Sequence, residues 1–167
     1  MEIPNYKKQT SNKKSGAGYT LIEILVALTI IGLLFSFGYV SFRDFSRRQA
    51  IVDAAKAIQA DLRLAQQNAI SGQKPGGCTT TLDSYNFNVR SASRYTIEAN
   101  CSATPPVVKD VNLPSGITIS TPSPNPLTFK ILGQGTNIGD TDWTLTLTQA
   151  GTANTATVAV TSGGEIK

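Results

Sequence analysis

Glu23 is the only acidic residue in a stretch of twenty, residues 21–40, of which fifteen are apolar. A charge inside a membrane segment costs roughly 2.5 to 3.5 kcal/mol on insertion scales, so such a carboxylate has a partner and a purpose. The partner it requires is a cation, and that cation can belong to another chain. Two cysteines, Cys78 and Cys101, are the other reactive pair, and the chain contains no histidine. Without histidine, the common Ser–His and Cys–His activation schemes and most zinc sites are excluded. Asp140 and Asp142 flank a short segment before Trp143. They read as a solvated turn, or alternatively as a cation site, although two carboxylates fall short of the six to eight oxygens that calcium takes. These residue types predict neither an enzyme nor a cofactor or metal protein.

The elements that carry these groups follow from the pattern of the chain. Residues 21–40, broken only by Glu23, Thr29, Gly32, Ser36 and Gly38, reach the length at which a helix crosses a bilayer core. A secretory signal peptide has a shorter apolar region followed by small residues. Here Gly16, Ala17 and Gly18 precede the run instead. A core helix of a soluble protein is the other alternative. Beyond the run, Ile51, Ala55, Ile58, Leu62, Ala65 and Ala69 recur at three- and four-residue steps, which predicts an amphipathic continuation until Gly72 and Pro75 stop it. Arg43, Arg47 and Arg48 follow the apolar run and read as an interface anchor with their heads in water, or as contacts to Asp44 or Asp53 of a neighbouring subunit.

From Cys78 the composition turns to Thr, Ser, Asn, Gly and Pro with short alternating runs, the signature of β-structure joined by turns. Residues 85–89 and 95–99 alternate around a turn containing Arg90 and Arg94 and predict a hairpin. Further strands are expected at 107–111, 117–120, 127–132, 143–148 and 155–161. Pro122, Pro124 and Pro126 forbid a central strand and mark an exposed connection. The fold class is therefore α+β: a long amino-terminal helix, membrane-spanning and then amphipathic, packed on a small antiparallel sheet domain.

The segment Gly18-Tyr19-Thr20-Leu21-Ile22-Glu23, continued by Ile24-Leu25-Val26-Ala27-Leu28-Thr29-Ile30-Ile31-Gly32, resembles the processing site and helix start of type IV pilin-like precursors. The resemblance implies cleavage after Gly18 by a prepilin peptidase and methylation of the new amino terminus at Tyr19, with Glu23 as the assembly residue. Tyr19 stands where Phe or Met is more usual, and Val40 where major pilins often carry a proline, which favours a minor pilin or pseudopilin. Leu113-Pro114-Ser115-Gly116-Ile117, Phe129 with Gly133 and Gly135, and the terminal Gly163-Gly164-Glu165-Ile166-Lys167 are similar to the outer domain of the GspH/FimT group.

Cleavage would place the positive amino group of Tyr19 at the end of an apolar helix, where Glu23 of a neighbour offers the opposite charge at nearly the same depth. Pairing relieves both burials and sets the register between subunits, because breaking such a pair costs about 3 to 5 kcal/mol. The leader, residues 1–18, holds Lys7, Lys8, Lys13 and Lys14 against Glu2. The positive-inside rule then keeps it cytoplasmic. Its removal leaves 11 basic and 10 acidic side chains, so the high pI is mostly that of the leader.

The expected organisation is a cytoplasmic leader at 1–18, a transmembrane half-helix at 19–42, an amphipathic half-helix at 43–72 and an extracytoplasmic β-domain at 73–167. The partners implied are prepilin peptidase, other pilins or pseudopilins of the same filament, and the bacterial inner membrane. Outside the cytoplasm Cys78 and Cys101 can pair as a disulfide, with two buried free thiols as the alternative. The function implied is that of a structural minor subunit of a type IV pilus or type II secretion pseudopilus. The alternative is a DNA-capturing minor pilin of natural transformation, for which nucleic acid would be the partner. Members of the FimT group proposed for that role carry arginines after the terminal glycine. Here Glu165, Ile166 and Lys167 follow Gly164, which leaves Arg90 and Arg94 as the candidate DNA contacts.

Overall fold

The computed structural model describes residues 18–167, with the side chains of residues 36–41 excepted. Lys7, Lys8, Lys13, Lys14, Gly16, Ala17 and the rest of residues 1–17 of the expected leader lie outside the described residues, and its last residue, Gly18, lies within them.

Helix α1 runs Leu21–Ser71, and both ends have a local cause. Thr20 is the cap: its carbonyl accepts the Ile24 N–H at 3.2 Å and its hydroxyl accepts the Glu23 N–H at 3.3 Å. At the other end Gly72 takes φ 62°, the Gly72 N–H bonds to the Ala69 carbonyl and the Gln73 N–H to the Asn68 carbonyl, each at 3.1 Å. That is a Schellman stop, in which a left-handed residue lets the next N–H groups satisfy the last free carbonyls.

Contacts divide the chain between Phe42 and Arg43 into two compact units. In the first, the described side chains from Gly18 to Phe35 are all exposed, apolar ones included. Among the described residues, no helix is long and apolar enough to cross a membrane. The expected span extends to Val40, and its last side chains lie outside the described residues.

In the second unit, Ile51, Ala54, Ala55, Ile58, Leu62, Ala65 and Ala69 form the buried stripe of α1. It faces two antiparallel sheets where one was expected. The larger has strand order β3-β2-β1-β5, with β1 Ser84–Ser91, β2 Arg94–Asn100, β3 Val107–Asn112 and β5 Leu127–Lys130. The smaller has order β4-β6-β7, from Ile117–Ile119, Trp143–Gln149 and Thr155–Val160. Register places Tyr85 opposite Ala99, Phe87 opposite Ile97 and Val89 opposite Tyr95, so one face of the hairpin is apolar. That face joins the helix stripe and the inner residues of the smaller sheet in a single apolar cluster. Phe87 links them, with its ring centroid 4.9 Å from that of Tyr95 and 6.0 Å, edge-on, from that of Trp143.

Two segments differ from expectation. The strand expected at 127–132 ends at Lys130, and Ile131–Gly133 is a 3-10 turn with Leu132 at φ 56°. Gly133 at φ 72° and Gly135 at φ 90° reverse the chain there, bringing the Gly135 carbonyl onto the Lys130 N–H at 2.9 Å. The proline connection is docked on the sheets, and Pro122 is buried. Asn125 uses its side-chain amide as a strand would use its backbone, bonding the Val89 N–H and carbonyl at 3.0 Å each. The Trp143 indole N–H donates to the Pro124 carbonyl at 2.9 Å.

Candidate functional site

Gly18, Tyr19 and Thr20 precede the helix and are exposed, Tyr19 at 78%. A Cβ on Gly18 would meet nothing within 4 Å, so the chain's own packing does not impose a glycine there. Glu23 is the acidic residue of the first turn, where the helix dipole favours a negative charge. Its side chain is exposed among exposed Leu21, Ile22 and Leu25, and among the described residues its carboxylate is in no ion pair. Thr20 and Glu23 have the spacing of a capping box, a signal legible in the sequence.

Cys78 and Cys101 form a disulfide, with Cα atoms 5.2 Å apart. It fastens the segment leaving α1 to the end of β2. The same junction is held by the Cys101 carbonyl, which accepts the Thr80 N–H at 2.8 Å and the Thr80 hydroxyl at 2.6 Å. The Tyr85 hydroxyl donates to the Gln73 carbonyl at 2.5 Å, and burial raises its pKa above the ordinary phenol value.

Arg90 and Arg94 are both committed to carboxylates of their own sheet. Arg90 pairs with Glu98, which is 4% exposed, and its Nε donates to the Thr96 hydroxyl at 3.3 Å. Thr96 in turn donates to Glu98 at 2.5 Å. Arg94 makes a two-point contact with Asp110, with Nε to Oδ1 at 2.8 Å. The guanidinium bond holds Asp110 below the usual carboxylate range. Both arginine side chains remain 50% exposed.

The sequence reading missed Asp61. It sits on the buried stripe of α1, one turn from Ile58, and is 5% exposed. Its carboxylate accepts the Tyr95 hydroxyl at 2.8 Å and pairs with Lys109 of β3. Desolvation first, and the Asp61 hydrogen bond second, push the Tyr95 phenol far above its ordinary value. A carboxylate in phase with Ile58 and Leu62 was the signal, since a buried charge is paired or costly.

Asp140 and Asp142 are both exposed, and among the described residues no group of three metal-ligating side chains converges. A cleft of about 160 Å³ lined by Gln66, Phe129, Lys130, Gly133 and Gly164 contains no acid–base pair. Arg43 and Arg48 are exposed and Arg47 is half-buried. The structure brings Cys78 to Cys101, and it places Arg90 on Glu98 and Arg94 on Asp110.

A solved structure, that of the minor pseudopilin EpsH from the type 2 secretion system of Vibrio cholerae, is similar at a TM-score of 0.49 and 14% identity, over 70% of this chain and 94% of that chain. Comparison with curated protein sequences gives no match. The model of the prokaryotic N-terminal methylation motif matches residues 13–39. The model of type II transport protein GspH matches residues 54–164, more than half of the chain. The chain therefore belongs to the GspH family, as a structural pseudopilin bearing the methylation motif and not an enzyme.

Proposed function

We propose that this GspH-family pseudopilin is made as a membrane-held precursor, cut after Gly18 by a prepilin peptidase, methylated at Tyr19 and assembled into a filament through α1. In this reading residues 1–18 are the cytoplasmic leader, residues 19–42 span the bacterial inner membrane once, residues 43–72 are the amphipathic half of the helix, and residues 73–167 form the domain outside. Glu23 then receives the Tyr19 amino group of a neighbouring pseudopilin. The observation that carries the proposal is the exposed Glu23 carboxylate in the first turn of a helix whose described side chains up to Phe35 are exposed and mostly apolar. Such a surface is costly in water, and its one charge is unmatched within the described chain. The start of α1 after Thr20 also supports it, because the Gly18–Tyr19 bond then lies outside the helix, where a peptidase can hold it extended.

Intact-mass measurement of membrane-extracted protein tests the reading. The expected product begins at Tyr19 and carries one added methyl group. Retention of Lys13 and Lys14 in cells with an active prepilin peptidase would contradict it.

A further inference from the structure

Three arginines and one aspartate lie within residues 43–48, and the next basic residue is Lys56. At 1.5 Å per residue, Arg43, Arg47 and Arg48 fall within about 8 Å along the helix axis. That depth matches the headgroup layer on one side of a bilayer, about 5 to 8 Å given a core of about 30 Å and a full thickness of 40 to 45 Å. Phe45, two residues after Arg43, is 65% exposed and places an apolar side chain among these charges. Among the described residues neither Arg47 nor Arg48 is paired with a carboxylate of its own chain, and Asp53 is occupied by Gln49 at 2.9 Å.

We infer that residues 43–48 form a docking collar for anionic phospholipid headgroups, with the arginines on lipid phosphates and Phe45 at the acyl boundary. The inference rests on the membrane-spanning reading above and adds lipid charge selectivity to it. Its basis is charge complementarity: a net excess of two positive charges over six residues, with exposed Phe45 among them, suits a surface that is negative and has an apolar edge. Each basic side chain near an anionic surface adds roughly fivefold to affinity, at about 1 kcal/mol. The collar should therefore prefer anionic over zwitterionic lipid by on the order of tenfold or more.

The test uses membrane-extracted protein that intact mass shows to begin at Tyr19, and so to lack the leader lysines, in detergent, titrated with phosphatidylglycerol or with phosphatidylcholine and read by native mass spectrometry. The expected result is preferential retention of phosphatidylglycerol, weakening with added salt, unaffected by inorganic phosphate, and reduced to the phosphatidylcholine level in an Arg43→Gln, Arg47→Gln, Arg48→Gln variant. An unchanged urea midpoint in that variant would establish that the domain remains folded. Equal retention of the two lipids, or a preference that survives the triple substitution, overturns the inference. So does a variant that keeps its lipid preference but loses cross-linking to partner pilins, since the arginines would then belong to a subunit contact. A chain that does not associate even with phosphatidylcholine nanodiscs overturns the spanning reading itself, and the collar with it.

Discussion

Asp61 in the middle of α1 accepts the hydroxyl hydrogen of Tyr95 on β2 at 2.8 Å, and both residues are buried. This bond, with Lys109 as the second partner, fixes how the amphipathic half of α1 seats on the larger sheet. Apolar packing alone would allow a helix to slide by small steps; a buried carboxylate with two fixed partners does not.

The first prediction follows from removing that carboxylate. Asp61→Ala leaves the Tyr95 hydroxyl buried and unsatisfied and should cost about 1 to 3 kcal/mol of domain stability. Lys109→Met should cost less, about 1 kcal/mol at most, because the Lys109 side chain is 44% exposed and its ion pair is screened. Urea unfolding of the three proteins at neutral pH checks the order.

Alkaline pH supplies the second. The Tyr95 pKa is raised in the folded state, so between the unfolded value of about 10 and the folded one the native chain holds a proton that the unfolded chain has lost. Stability is therefore complete below pH 10 and falls as pH rises beyond it. Unfolding midpoints between pH 8 and pH 12 should fall more steeply in wild type than in Tyr95→Phe, which has no proton to lose at that position.

The third concerns the hairpin arginines. Arg90→Ala leaves Glu98 with its Thr96 hydrogen bond and, because the Arg90 side chain is 50% exposed and its ion pair is screened as that of Lys109 is, should cost about 1 kcal/mol at most. Arg94→Ala, which removes an exposed pair, should be nearly neutral. Binding of duplex DNA should be weak in wild type and changed little by either substitution. Strong binding that falls steeply with salt and disappears in the double variant would support DNA capture instead.

The stripe of α1, its stop at Gly72 and the hairpin around residues 90–94 were legible in the sequence because each is set by local periodicity or by a turn residue. Other features depend on tertiary partners. The seating of Pro124 and Asn125 depends on Trp143 and Val89, which are distant in sequence. Leu132 has a residue type that suits a strand end, yet Gly133 and Gly135 turn the backbone before it can pair. Of the candidate site, the spacing of Gly18, Tyr19 and Glu23 was visible from the start, whereas the pairing of Arg90 with Glu98 and of Arg94 with Asp110 required the register between β1, β2 and β3.

The central claim is that Glu23 acts between subunits, and the most direct measurement is capture of partner pseudopilins by wild type and by Glu23→Ala at matched levels of mature protein. The substitution removes a charge from an apolar run, so insertion should be undiminished. Cleavage after Gly18 should largely persist. The account predicts that cross-linking or co-purification with the partners is lost, because the neighbour's Tyr19 amino group is left buried without a counter-charge. Capture by Glu23→Ala equal to that of wild type would contradict it.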